Sequence, residues 1–312
     1  MPKTTTKKSK SPATNGVIAH SNIGQAKTTR LNVQKTYKLY IGGKFPRTES
    51  GRYFKLKAGK EVIANICQGS RKDFREAVVA GRGAFAGWAG KTAFNRGQII
   101  YRIAEILEGR SAQFVSELVL QGSTEAEATL EVNTAIDRLV YYAGWADKYQ
   151  QIFSSVNPVS SSHFNFSLCE PTGVVSIIAP EKPSLLGLVS TIVPIITGGN
   201  TCVVLSSESQ PLSAITFSEV LHASDVPGGV VNIITGFRNE LAGHFSSHMD
   251  VNAILYCGSD KKEIQLIQEN ATVNVKRVLL HKDENWFDEK CENPYEIRDA
   301  QEIKTTWHPI GY

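Results

Sequence analysis

The chain has 312 residues, 41% hydrophobic and 21% charged, enough to bury one large core or two modest ones. Its net charge is +4. Six basic residues (Lys3, Lys7, Lys8, Lys10, Lys27 and Arg30) and no acidic ones fall in the first 30 positions, so the remainder is close to neutral and offers no general electrostatic footprint for nucleic acid. No apolar run approaches the ~20 residues that span a bilayer, and Cys67, Cys169, Cys202, Cys257 and Cys291 are widely spaced. We therefore expect reduced thiols in a cytoplasmic protein with no membrane segment.

In chain order, residues 1–35 are rich in Ser, Thr and Lys and read as a disordered basic tail. A transit peptide fits less well, because no Arg-rich amphipathic pattern is visible. Residues 36–149 form a helical part, entered through Lys38–Phe45, which reads as a short strand running into the Gly42-Gly43 turn. Phe74, Ala77, Val78, Gly81, Phe85 and Trp88 recur at offsets of three and four and so paint one helix face. Ile99, Ile103, Ile106 and Leu107 do the same, as do Val132, Ile136, Leu139, Val140 and Ala143, with Gly109 and Gly122 as terminators. Residues 150–169 then change period. Phe164, Phe166 and Leu168 alternate with His163, Asn165 and Ser167, and with Ile152–Val156 and an Asn157-Pro158 turn they predict an antiparallel hairpin.

From 170 to 281, short apolar runs at 174–178, 202–205, 230–234, 253–256 and 275–280 are separated by helix-length amphipathic segments. That pattern predicts an α/β domain, a doubly wound parallel sheet covered on both faces. Residues 282–300 are acidic and turn-rich and read as a linker. In 301–312 alternation returns, with Ile303, Thr305 and Trp307 on one side of a final strand. An isolated strand must join a sheet, and the 150–169 hairpin is the expected host.

Three stretches carry a resemblance. Glu170-Pro171-Thr172-Gly173-Val174-Val175-Ser176-Ile177-Ile178-Ala179-Pro180, Gly198-Gly199-Asn200-Thr201 and Val226-Pro227-Gly228-Gly229-Val230-Val231-Asn232 resemble the coenzyme domain of the aldehyde dehydrogenase family. The resemblance runs from about Leu39 to His281 and resumes in Gln301–Gly311, which is similar to the family's closing strand. It implies a Rossmann-like coenzyme domain with N-terminal helices, a small antiparallel oligomerisation arm from 150–169 and 301–312, and most of the catalytic domain absent. It also implies NAD or NADP as coenzyme and, in working members, a thiolate nucleophile, an oxyanion donor and a general base.

The positions that would carry this chemistry differ here. Where the family places an Asn amide in a Pro-Trp-Asn-Phe-Pro turn, this chain has Pro180-Glu181-Lys182-Pro183, with Lys182 a conceivable substitute donor. The ribose-binding Lys corresponds to Leu205, while Glu208 is kept. The phosphate turn keeps Gly258 and Ser259 but has Asp260 and Glu263 in place of its Thr and second Gly; Asp260 is a good helix cap. His281 stands where the family has its general-base Glu, and a lone His at a strand end is more often a surface residue. None of the five cysteines has the nucleophile's neighbours, and acids around Cys291 should raise its pKa.

The resemblance therefore implies no catalytic residue, with Glu208, Gly258 and Ser259 as the remaining coenzyme contacts and NAD or NADP binding weak or lost. The Tyr141–Tyr149 wording resembles companion modules of family-sixteen-type aldehyde dehydrogenases. The expected role is a structural or regulatory partner of a full-length aldehyde dehydrogenase subunit, in a hetero-oligomer or with copies of itself, without nucleic acid or membrane. The alternatives are an NAD(P)-binding module or sensor, and a residual oxidoreductase acting on the aldehyde or oxo group of donors.

Overall fold

The structure, a computed structural model, describes residues 34–311. The basic tail expected over 1–35 therefore lies almost wholly outside the described residues. The N-terminal part opens with β1 (Thr36–Tyr37), β2 (Tyr53–Ala58) and β3 (Glu61–Cys67), a small sheet of order β1-β3-β2. It continues into α1 (Arg71–Ala89), α2 (Ala93–Gly109), α3 (Ser111–Leu120) and α4 (Glu125–Trp145). Ser70 and Asp73 close a capping box at the start of α1, and Thr124 and Glu127 do so for α4, which fixes both helix starts.

Lys38–Phe45 makes single bridges (Tyr40 to Ile233, Ile41 to Lys44) rather than a strand. Both glycines of its turn have positive φ, and Gly43 packs so tightly on Gly228 that a Cβ would approach its Cα to 2.8 Å. The β2–β3 hairpin has no counterpart among the elements expected from the sequence. Its inner strand is half-covered and its outer strand mostly exposed, so neither carries a long apolar run.

The expected doubly wound sheet is present. It comprises β6 (Val174–Ile178), β7 (Thr201–Leu205), β8 (Val231–Ile234), β9 (Ala253–Cys257) and β10 (Arg277–His281), all parallel, in the order β10-β9-β6-β7-β8. The helices between these strands are α6 (Ser184–Thr197), α7 (Leu212–Ala223), α8 (Arg238–Ser247) and α9 (Lys261–Ala271). Strand alternation divides the core. Val175, Ile177, Cys202 and Val204 face α6, α7 and the N-terminal helices, while Val174, Ile178, Val203 and Ile254 face α1, α8 and α9. Every residue of β6, β7, β8 and β9 is buried, as a parallel sheet sandwiched between helices requires.

The arm is also present, with one correction. Tyr149–Phe153 is a short helix (α5) and not the first strand of the hairpin; β4 is confined to Ser155–Asn157. The helical turn puts Tyr149 into the core and leaves Phe153 against the Tyr295 ring at 5.3 Å, contacts an extended segment would not make. β4, β5 (His163–Pro171) and β11 (Gln301–Pro309) form an antiparallel sheet of order β11-β5-β4, with β11 paired to β5 from Gln301↔Pro171 to Pro309↔His163.

The segment 282–300 is not a loose linker. Trp286 and Ile297 are buried, and the segment ends in a helical turn, α10 (Tyr295–Arg298), against α6. The buried Arg138 of α4 clamps it, donating to Trp286 O (3.1 Å), Cys291 O (2.7 Å) and Ser190 Oγ (2.9 Å). Its acidic, turn-rich surface concealed two apolar anchors spaced too far apart to form a periodic pattern.

Candidate functional site

A parallel sheet wound outward from a central strand opens a crevice at its carboxyl edge, where successive connections diverge, and such sheets bind ligands there. Here β6, β7 and β8 run one way, while β9 returns to the other flank of β6. The crevice thus lies between Ala179-Pro180, after β6, and Cys257-Gly258, after β9. A cavity of about 650 Å³ opens over it, with Glu181, Arg238, Tyr256, Ser259, His281 and Trp286 among its walls.

The first residue of α8 reaches into this crevice. The Arg238 guanidinium donates to Cys257 O (3.3 Å) and to Ala179 O, tying together the carboxyl ends of β9 and β6. Its Nε lies 3.1 Å from Glu181 Oε1, an ion pair made off the N–H axis. The same carboxylate accepts from Ser207 Oγ (3.0 Å), Glu208 N (3.1 Å), Ser209 N (3.1 Å) and Ser209 Oγ (2.9 Å). Partial burial alone would push the Glu181 carboxyl up; the Ser209 and Glu208 amides and the guanidinium outweigh it and hold the pKa below its ordinary value.

Of the residues expected to hold coenzyme, Gly258 and Ser259 do line the crevice. Gly258 N donates to His281 O at 3.0 Å, and a Cβ on Gly258 would meet Tyr256 Oη at 2.7 Å, so the tyrosine ring occupies the space beside that glycine. Tyr256 Oη in turn donates to Glu263 Oε2 at 2.6 Å. Asp260 caps α9 as expected, accepting from Lys262 N (2.8 Å) and Glu263 N (3.0 Å). Glu208 is turned to the chain itself: its Oε2 accepts from Arg238 N at 3.2 Å, and its carboxyl pKa is raised, mainly by burial. The sequence reading missed Arg238, because its partners come from three separate connections of the sheet and share no local pattern.

At the positions compared with catalytic groups, the geometry is as follows. Glu181 is committed to the Ser207–Ser209 loop, and Lys182 is exposed. His281 is not a surface residue: it pairs with Glu296 at 3.4 Å and packs its ring against Trp286 at 5.5 Å. Cys202 and Cys257 are buried within strands, and burial pushes both thiols well above their usual range. Cys291 sits at 3.4 Å from Asn285 O, and burial first, then Glu284, raises its pKa. A thiolate at any of these three is disfavoured at neutral pH. Among the described residues, no group of three or more His, Cys, Asp or Glu is placed to hold a metal ion.

The motifs that carry the resemblance act as clamps. Asn200 accepts from Gly173 N (2.9 Å) and donates to Ala300 O (2.9 Å), joining the start of β6 to the residue before β11. Asn232 accepts from Gly42 N (2.9 Å) and donates to Gly229 O (2.8 Å). A Cβ on Gly228 would come within 2.7 Å of Gly42 O. These bonds and close approaches hold the scaffold together.

The arm has an unusual polarity. Along β5, Asn165 and Ser167 are buried while Phe164 and Leu168 are 47% and 43% exposed. Asn157 Nδ2 donates to Asn165 Oδ1 (2.6 Å) and Ser167 Oγ (2.9 Å), and Ser167 shares a hydrogen bond with Thr305 (2.8 Å). Val156, Phe164, Phe166 and Leu168 make the opposite, apolar face. Trp307 and Ile303 on β11 are more than half exposed.

Residues 50–282 match the aldehyde dehydrogenase family, and the chain belongs to that family. It is 33% identical over 262 residues to cytosolic aldehyde dehydrogenase 1 of Elephantulus edwardii, covering 82% of this chain and 52% of that protein. Retinal dehydrogenase 2 of Gallus gallus is 33% identical over 272 residues, covering 85% and 52%. Among solved structures, the NAD+ complex of the Bacillus cereus aldehyde dehydrogenase superposes with a TM-score of 0.76 at 27% identity, covering 80% of this chain and 51% of that one. The chain therefore spans about half the length of the relatives it matches. Among the described residues, no helix is long and apolar enough to cross a membrane.

Proposed function

We propose that this protein is a non-catalytic partner of a full-length aldehyde dehydrogenase subunit, joined to it through the β11-β5-β4 arm. The observation that carries this reading is the arm's polarity: Val156 (67% exposed), Phe164 and Leu168 share an outward apolar face while Asn165 and Ser167 are buried on the other, where Trp307 at the end of β11 is itself exposed. An apolar sheet face of this kind is a docking surface, and the outer edge of β11 leaves backbone groups for a further strand. The positions compared with the family's catalytic groups support the non-catalytic part. Glu181 stands near the oxyanion turn, His281 is paired with Glu296, and burial raises the Cys202, Cys257 and Cys291 thiols.

The test is the native mass of the tagged protein, isolated gently from its own cells. A fixed-ratio complex with a full-length aldehyde dehydrogenase supports the proposal; a monomer or homo-oligomer with no companion refutes it. Aldehyde-dependent NAD reduction by the isolated chain that is lost on removing a cysteine would favour a working oxidoreductase instead.

A further inference from the structure

We infer that the crevice at the carboxyl edge of the sheet is occupied by the chain's own Arg238 and Glu181, and that these two side chains exclude a dinucleotide from it. The residues present do not fit the coenzyme that the family implies.

Three observations converge. First, the crevice floor consists of strand-end carbonyls, which are obligatory hydrogen-bond acceptors. Ala179 O and Cys257 O are both satisfied by one guanidinium, whose planar fork suits two acceptors at once. A ligand entering between β6 and β9 must displace that group. Second, the donors in the loop after β7 that would otherwise face the crevice converge on Glu181, and Glu208 is spent on Arg238 N. The hydroxyl protons of Ser207 and Ser209 are thus directed at Glu181, and Glu208 Oε2 is directed at the backbone of α8. Third, the amino end of α9, which in a dinucleotide site offers free N–H groups to phosphate, already has its amides bonded to Asp260, and Glu263 is fixed beside it by Tyr256. Two carboxylates flank the place where a pyrophosphate would bring two more negative charges.

The arrangement is local and therefore separable. The lock consists of one ion pair and its hydrogen bonds, and none of the clamps at Asn200 or Asn232 involves it. It is also independent of the docking reading, because the crevice lies on the parallel sheet and the arm is a different sheet.

Isothermal titration with NAD on the full chain, backed by thermal shift at millimolar NAD, tests the inference with wild type, Arg238→Ala and Glu181→Ala. Wild type is expected to show no saturable binding, and each variant to bind about tenfold tighter or better, the return from releasing one charge-assisted contact. Far-ultraviolet circular dichroism and a cooperative melt check each variant's fold. Should Arg238→Ala not fold, Glu181→Ala carries the test, since it removes the ion pair to the guanidinium and frees the Ser207 and Ser209 donors. Saturable NAD binding by wild type as tight as by the variants overturns the inference. So does a set of folded variants in which none binds, because exclusion would then lie elsewhere than in these two residues.

Discussion

Replacing Ile297 with Ala tests whether residues 282–300 are a packed strap or a tether. Ile297 is 0% exposed, on the short helix α10 that lies against α6, and its Cγ2 would stand 3.3 Å from a Cβ added at Gly198. The substitution removes three side-chain carbons. At about 0.8 kcal/mol per buried methylene, the transfer loss is roughly 2.4 kcal/mol, and a cavity that the fixed neighbours cannot fill brings the total to about 3 kcal/mol, within the usual range of about 2–5 for such a change. Urea unfolding followed by circular dichroism reads this as a lower midpoint at unchanged slope. Phe287→Ala, at a half-exposed position in the same segment, is the control and should cost much less. A loss below about 0.5 kcal/mol for Ile297→Ala, the scale of an ordinary surface change, would show that the strap does not contribute to the cooperative core.

Three further outcomes are expected. Trp307→Asp, at an exposed site on β11, should abolish co-purification with the partner subunit while leaving the melting temperature of the isolated chain within a few degrees; unfolding of the isolated variant would place Trp307 in the chain's own core. Asn200→Ala removes the bonds to Gly173 N and Ala300 O and should cost about 2–4 kcal/mol while exposing the C-terminal strand to limited proteolysis before the rest of the chain, which mass spectrometry would detect. Burial lowers the Lys276 ammonium to about 8, against roughly 10.4 in an unfolded chain, so between those values the unfolded state holds the extra proton and folding is favoured as pH rises. Wild type should therefore gain stability relative to Lys276→Met from pH 8 to pH 10; a flat or falling difference contradicts the assignment.

Much of the molecule is legible in its sequence. The run at 174–178 coincides with β6, and the offsets at Phe74, Ala77, Val78 and Trp88 mark the buried face of α1. Periodicity works there because each element buries a continuous stripe of its own surface, which shows in its local pattern whichever distant element it packs on. It fails at Tyr149–Phe153, where one buried tyrosine outweighs local alternation, and at 282–300, where Trp286 and Ile297 are eleven positions apart and only a three-dimensional clamp from Arg138 makes them a unit.

The candidate site divides in the same way. That Glu181, Asp260 and Glu263 stand near positions where working relatives need other groups is a matter of residue identity, and the sequence by itself determined it, together with the parallel, doubly wound sheet that the spaced apolar runs predict. That Arg238 crosses from α8 to Ala179, Cys257 and Glu181, and that Glu208 turns from the crevice to the backbone of α8, only the tertiary structure decided. The reason is geometric. A parallel sheet brings the ends of strands far apart in the chain to one edge, and the side chain that satisfies their carbonyls is chosen by proximity across that edge, for which spacing along the sequence carries no signal.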